Sequence, residues 1–216
     1  MKKFLLVLVI LAIVGGAAFA FDVNTFPSPI EKGSVLISPG FGLGSYWSAG
    51  AGWGISTAFG GALAVDYALP INFALTLGAE AGFLYSSLDW GISSASGSLT
   101  TVPIMFRIAW HPNFEVKGLD VYAMLKLGFA LGFWGGDAKK YGGNDVKNPN
   151  GFAWGTQVGV RYFFTDNIGI FGEFGLDRYN LKAKYTYDDY YGLYTYTVTE
   201  RAHITKFLSI GVTFKI

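Results

Sequence analysis

Two histidines carry the only imidazole rings in the chain, and imidazole is the side chain best suited to act as a base near neutral pH. Glu200 and Thr205 flank His203, so this stretch holds fragments of a nucleophilic site, whereas His111 directly precedes Pro112. A working site needs its nucleophile within about 3 Å of the base and a third group to orient that base. With two histidines and no cysteine, thiol catalysis is excluded and a zinc site lacks ligands. We therefore expect no catalytic, metal-binding or cofactor-binding residue.

The composition is unusual for a soluble domain. Aromatic residues make up 18% of the 216 residues and charged residues only 14%, whereas soluble domains carry about 25% charged residues. So many aromatic residues exclude a disordered chain. Beyond the first two dozen residues the repeated apolar segments of a helical membrane bundle are missing, since each would need about 20 residues. With a formal net charge of +1, the chain lacks the excess of basic residues that binding to nucleic acid requires.

The first residues have the three-part pattern of a secretory signal peptide. Lys2 and Lys3 form a basic start, Phe4–Val14 is apolar, and Ala18–Ala20 fits a cleavage site with small residues. The alternative is an uncleaved membrane anchor, but this apolar run is short for a span of about 20 residues. Residues 1–20 are therefore predicted to be a signal peptide that directs the chain out of the cytoplasm.

From Ser34 onward, apolar residues alternate with small or polar ones, which is the period of a β-strand. Residues 21–33 show no period and are predicted to be an irregular N-terminal segment. Short and long connections alternate between these runs, so the long loops all fall at the same end of the strands. The eight predicted strands cover residues 34–47, 56–69, 73–86, 98–111, 119–133, 152–165, 169–183 and 201–216.

The two faces of these strands decide between a membrane barrel and a soluble one. One face is a continuous row of Leu, Ile, Val and Phe, while the other is mostly Gly and Ala with about one charge per strand. A soluble barrel would turn the apolar face inward and expose the second face, which has too few charges for a water-facing surface. Small residues instead suit the narrow lumen of eight strands. Residues 34–216 are therefore predicted to form an eight-stranded antiparallel up-and-down transmembrane β-barrel.

The inward face holds acids and bases in near balance. Buried charges persist only when they are paired, so we expect a cross-linked polar network. A three-residue turn at 166–168 would place Arg161 directly opposite Glu173 as an ion pair. The structural interpretation is a lumen plug, and the functional alternative is a path for ions or solutes. The predicted network consists of Asp66, Glu80, Arg107, Asp120, Lys126, Arg161, Glu173, Asp177 and Lys215.

Two further segments could make contacts outside the lumen. The loop before the last strand is rich in tyrosine, a residue that suits adaptable contact surfaces, although the same residues could simply extend a hairpin. Its candidate contact residues are Tyr185, Tyr187, Asp188, Asp189, Tyr190, Tyr191, Tyr194 and Tyr196. The last strand carries an alternating apolar row that would close the barrel, formed by Leu208, Ile210, Val212, Phe214 and Ile216.

The dyad strands, the fragment GVRYFFTDNIGIFGEFG at Gly159–Gly175 and the closing strand resemble the small eight-stranded outer-membrane barrels, the OmpX, OmpW and OmpA transmembrane-domain group. The resemblance implies insertion into the outer membrane of a diderm bacterium, with both termini in the periplasm. It also implies recognition of the last strand by the barrel-assembly machinery. Members of the group usually end in Phe, whereas this chain ends Phe214-Lys215-Ile216.

Three functional hypotheses follow. The first is a non-enzymatic envelope protein, structural or surface-interacting, that presents its loops to an extracellular or envelope ligand. The second is a narrow conduit for small or hydrophobic solutes, as the resemblance to the OmpW-like members implies. A lipid-modifying enzyme is the weakest of the three. The expected partners are outer-membrane lipid, the assembly machinery and a ligand of the loops, but not nucleic acid.

Overall fold

The computed structural model describes residues 25–27, 30–48, 56–89, 96–136, 147–188 and 195–216. The predicted signal peptide, residues 1–20, lies outside these ranges. Within them no helix is long and apolar enough to cross a membrane. The strands are β1 (Val35–Ser48), β2 (Ser56–Ala68), β3 (Leu75–Gly82), β4 (Leu84–Asp89), β5 (Ser96–Trp110), β6 (Leu119–Gly136), β7 (Asn150–Phe163), β8 (Ile168–Asp188) and β9 (Thr195–Lys215).

The strands form a closed antiparallel barrel, because β1 pairs with both β2 and β9. β3 and β4 together make one barrel strand, since both pair with β2 and with β5 in a continuous register on either side of Phe83. The predicted eight-stranded antiparallel barrel is confirmed. Closure leaves no open edge, so the ladder can satisfy the backbone groups in hydrocarbon, where water cannot.

The apolar face of the strands points outward. Leu125 is 60% exposed and Phe174 65% exposed, and apolar side chains of the other strands are exposed in the same way. The alternate positions point inward and hold Gly, Ala, a few apolar side chains and the charges. Such an apolar outer wall suits acyl chains and would be poorly solvated by water.

The turn between β7 and β8 differs from the prediction. The three-residue turn that would face Arg161 with Glu173 is wrong, because Arg161 lies opposite Phe171 and the last pair of the ladder is Phe163 with Gly169. Both side chains still point inward, since the shift of register is even. A longer turn therefore preserves the faces of the strands but changes every cross-strand neighbour.

The side chain of Thr165 supports this longer turn. Its Oγ1 accepts the backbone N–H of Asn167 at 3.3 Å and that of Ile168 at 2.9 Å. Hydrogen bonds from nearby backbone N–H groups to a threonine hydroxyl stabilise a turn whose residues do not pair across the two strands.

A β-bulge interrupts the alternation of β9. Gly42 of β1 lies opposite Ser209 and Gly44 lies opposite Lys206, so three steps along β9 match two steps along β1. The extra residue at Phe207 moves the inward positions of β9 from odd to even numbers. A bulge of this kind changes which side chains reach the interior on either side of it.

Two expectations for β9 are corrected. Lys215 keeps the inward alternation predicted for it, two residues beyond the buried Thr213, but it lies at the end of the strand and is only half-buried. The buried lysine of this strand is Lys206, which the bulge turns inward. The odd-numbered inward alternation predicted for β9 would also turn His203 inward, but because of the bulge it lies on the outward face, between the inward Ala202 and Ile204.

Candidate functional site in the barrel lumen

The lumen gathers the predicted charges other than Lys215, and Lys206 joins them. Each of these residues is at most 3% exposed. They come from β2, β3, β5, β6, β7, β8 and β9, so the inward alternation of many strands supplies one cluster. We call this cluster the charged layer, and its members are Asp66, Glu80, Arg107, Asp120, Lys126, Arg161, Glu173, Asp177 and Lys206.

Glu80 is the centre of the charged layer. Its Oε2 accepts from Lys126 Nζ at 2.6 Å and from Arg107 Nη1 at 3.1 Å, and its Oε1 accepts from Lys206 Nζ at 2.6 Å. Asp177 Oδ2 lies 3.2 Å from Lys126 Nζ and 3.0 Å from Lys206 Nζ. Each lysine therefore bridges two carboxylates that come from different strands.

Arg107 connects three strands through its guanidinium. Its Nη2 donates to Glu173 Oε1 at 3.1 Å, its Nη1 donates to Glu80, and its Nε lies 3.0 Å from Asp66 Oδ1. The planar guanidinium offers donors in fixed directions, which suits an interior site with several carboxylates. Because these carboxylates belong to β2, β3 and β8, the arginine ties opposite sides of the barrel together.

A chain of hydrogen bonds crosses the lumen nearer the short turns. His111 Nδ1 lies 2.8 Å from Asp120 Oδ1, and Asp120 Oδ2 accepts from Arg161 Nη1 at 2.8 Å. Arg161 Nε donates to Thr213 Oγ1 at 3.0 Å, and Thr213 Oγ1 lies 2.9 Å from Ser38 Oγ. This chain joins β6 and β7 to the closing pair of β9 and β1.

Thr76 and His111 were not predicted to belong to the lumen. Thr76 Oγ1 lies 3.0 Å from His111 Nε2, and the imidazole is 1% exposed. The sequence pattern could have predicted the inward position of His111, because this residue continues the odd-numbered inward row of Arg107 and Ala109 beyond the end of β5. Both ring nitrogens have partners, so this histidine acts as a structural bridge.

Tyr122 lies between the ion pairs around Glu80 and Arg107 and the hydrogen-bonded chain that contains Arg161. Its hydroxyl donates to Glu173 Oε1 at 3.1 Å, and the Arg161 guanidinium carbon lies 4.8 Å from the centre of its ring. On β7, Gly159 provides the room, since a Cβ at this position would collide with the tyrosine ring. The glycine is thus required by the close approach of an aromatic side chain.

Apolar side chains close the lumen on both sides of the charges. Phe26 and Ile30 of the N-terminal segment pack with Leu36 and Phe163 at the end with the short turns. Toward the long loops lies what we call the apolar layer, and the cavities that border Glu80 have volumes of only about 10 Å³ each. The apolar layer consists of Tyr46, Ala58, Leu84, Leu99, Met105, Ala130, Ala153, Tyr179, Leu181, Ala202 and Ile204.

His203 occupies an outward position near the long loops. Its Nδ1 lies 3.0 Å from Asn180 Oδ1, an oxygen of a neutral amide on β8. Asn180 lies directly opposite it in the ladder. No group of three or more His, Asp or Glu side chains that could hold a metal ion occurs in the described part of the chain.

The tyrosine-rich segment continues the β8–β9 hairpin. Tyr187 pairs with Tyr196 and Tyr185 with Val198, and β8 reaches Asp188. The remaining predicted contact residues lie outside the described residues, and these are Asp189, Tyr190, Tyr191 and Tyr194.

The closing strand pairs with β1 and β8 at once. Phe214 lies opposite Ile37 of β1 and opposite Ile168 of β8. The predicted apolar row of this strand, from Leu208 to Ile216, lies on the outward face.

The geometry defines a class of protein, a small transmembrane β-barrel with a packed lumen. The outer membrane protein OprG from Pseudomonas aeruginosa is similar in structure, with a TM-score of 0.62 and 14% identity over 90% of this chain and 99% of that one. A major outer membrane protein from Thermus thermophilus is similar with a TM-score of 0.51 and 16% identity, over 85% of this chain and 99% of that one. At these identities the likeness shows a shared fold, that of small eight-stranded outer-membrane barrels. No family model and no curated protein matches the sequence.

Proposed function

We propose that this chain is a non-enzymatic outer-membrane protein whose barrel is a closed membrane anchor and whose long loops make its surface contacts. The observation that carries the proposal is the charged layer, in which Glu80, Arg107 and Lys126 are almost completely buried and the carboxylate pairs with both cations. A lumen that conducts ions must hydrate such charges, whereas here ion pairs replace the water.

The orientation in the membrane follows from the connections. Both described ends of the chain lie at the end of the barrel with the short turns, where Val35 N donates to Ile216 O at 2.9 Å. Outer-membrane barrels place short turns and both termini in the periplasm and their long loops outside. We place this chain in the same way, with residues 1–20 as its signal peptide, residues 21–33 as a periplasmic segment and the β9 row as the assembly signal.

A non-enzymatic role is supported by the surroundings of both histidines. His111 is buried between Thr76 and Asp120, where it holds the barrel together. His203 faces outward beside Asn180, so the fragment with Thr205 lies on the outer wall and not in a pocket.

The anchor function can be tested by planar-bilayer conductance of the refolded chain. We expect no steady channel openings at physiological salt, because the charged layer blocks the path. A porin inserted in the same bilayer shows that the assay detects openings. Steady openings of the unmutated chain would overturn the proposal.

A second candidate, a conduit for small apolar solutes, is favoured by a proline in the wall of the barrel. The junction of β3 and β4 at Phe83 faces the Val102–Pro103 step, because Ala81 pairs with Ile104 and Leu84 with Thr101. A proline has no N–H to give to the ladder. Inside this point lies the apolar layer, so a solute entering from the loops would leave sideways into the bilayer.

This candidate is tested by the uptake of a hydrophobic fluorescent probe in vesicles that contain the barrel. A conduit predicts uptake faster than in protein-free vesicles and a change in that rate for Pro103→Ala. Equal rates in all three samples would exclude it and would leave the closed anchor.

A further inference from the structure

A group of basic side chains lies on the outer wall of β8 and β9, outside the lumen. Arg178 and Lys182 occupy outward positions of β8, and Arg201 occupies one of β9. Lys182 and Arg201 are exposed and Arg178 is half-buried. We call these three residues the basic strip.

Two members of the basic strip face each other directly. Lys182 is the ladder partner of Arg201. Directly opposed like charges destabilise an antiparallel pair, since their Cβ atoms are only about 5 Å apart. An anion bound between the two side chains would turn this repulsion into attraction.

The third member is held in place by its neighbours. Arg178 Nε donates to Asn180 Oδ1 at 3.2 Å, and Asn180 Nδ2 donates to Phe152 O at 3.4 Å. His203 lies opposite Asn180 and contacts the same amide oxygen. The hydrogen bond therefore holds the Arg178 guanidinium next to Asn180, which lies between Arg178 and Lys182 in the outward row, before any ligand binds.

The basic strip lies where the apolar outer wall ends on the side of the long loops. Closer to the short turns on the same strands, Phe174 is 65% exposed and Ile210 is 54% exposed. Along β8, the outward row changes from apolar to basic between Phe174 and Arg178. This boundary is the depth at which the headgroups of the leaflet facing the long loops would lie.

The described side chains around the strip carry charge of one sign. Among the strand residues whose side chains the structure describes, no aspartate or glutamate points outward. At the loop ends of other strands, outward side chains that the structure describes are neutral, among them Thr57, Ser87, Thr100 and Phe133. The strip is therefore a one-sided patch that fits an anion of the membrane.

We propose that the basic strip binds the phosphate groups of a phosphorylated lipid in the leaflet at the loop end of the barrel. The proposal rests on the membrane location given under the proposed function and adds a lipid class and a binding site to it. Arginine and lysine bind phosphate by charge-assisted hydrogen bonds, and each basic residue near a lipid surface adds to the attraction.

Native mass spectrometry of the refolded, detergent-solubilised protein titrated with lipid A, which carries phosphates, tests the site. The test variant combines Arg178→Gln, Lys182→Gln and Arg201→Gln. The control variant removes the same number of charges at the opposite end of the barrel through Lys32→Gln, Lys117→Gln and Lys215→Gln. We expect the affinity for lipid A to fall at least about tenfold in the test variant and to change less than about twofold in the control.

An unchanged affinity in the test variant, or equal losses in both variants, would overturn the site. A heparin fragment serves as a soluble polyanion, and if it binds through the strip as tightly as lipid A, the lipid assignment is wrong. If the triple variant does not refold, the single variant Lys182→Gln at its exposed position carries the test, with an expected loss of about threefold. Failure of the unmutated chain to insert into phosphatidylcholine vesicles would contradict the membrane location, which the lipid A titration does not measure.

Discussion

The middle of the lumen is filled by ion pairs, whereas the part toward the long loops is filled by methyl, thioether and aromatic groups. Both regions are almost completely buried, and both are lined by the same inward alternation of the strands. In the charged layer each group depends on named partners in fixed positions. In the apolar layer a side chain depends mainly on its volume, because dispersion and the hydrophobic effect have no direction.

This difference predicts how the two layers respond to substitution. Removing one partner from a buried ionic network leaves the remaining charges unpaired, which lowers the free energy of unfolding strongly. This cost arises even where the intact network stabilises the fold no more than an apolar core would. An apolar layer tolerates changes that conserve volume. The following predictions compare the layers by urea unfolding in lipid vesicles, monitored by tryptophan fluorescence.

The largest effect is expected for Glu80→Gln. The change keeps the shape of the side chain but leaves Lys126, Lys206 and Arg107 without their shared carboxylate. We expect a loss of about 3–5 kcal/mol in the free energy of unfolding. The control is Glu31→Gln at an exposed position, where less than about 0.5 kcal/mol is expected. A loss at position 80 as small as that of the control would mean that the charged layer is not a coupled network.

An intermediate effect is expected for Gly159→Ala. The new methyl group would collide with Tyr122, whose ring is confined by Arg161 and whose hydroxyl is bound to Glu173. Overpacking of this kind costs about 1–3 kcal/mol. In the control, Gly172→Ala, the added Cβ meets nothing within 4 Å. Equal stability of the two variants would show that the tyrosine can move aside without cost.

The smallest effect is expected for Leu99→Met in the apolar layer. Leu99 is fully buried, and methionine has a similar volume and a flexible side chain. We expect a loss of less than about 1.5 kcal/mol. In Lys126→Met, the same new side chain is placed in the charged layer, where we expect about 3–5 kcal/mol. Similar losses for the two methionine variants would remove the distinction between the layers.

The alternation of residue types was enough to predict the barrel, its faces and most of the charged layer. Arg107 and Lys126 were assigned to the lumen because their strands alternate without interruption, and both lie there. Lys206 was missed because the bulge at Phe207 changes the alternation without a distinctive local sequence. Lys215 keeps the predicted alternation but is only half-buried, because it lies at the end of β9. The pairing of Arg161 with Glu173 was wrong because an even change in turn length leaves the faces intact, so the pattern of the faces cannot reveal it.

The sequence by itself determined that this chain alternates, closes into a barrel and turns its small and charged residues inward, since a period of two is a property of each strand alone. Only the tertiary structure decided that Arg107 meets Glu173, that Asp120 joins His111 to Arg161, and that the charges lie beneath an apolar layer. Those contacts cross the lumen between strands far apart in the chain. They depend on the stagger and tilt of all the strands together, which no single strand encodes.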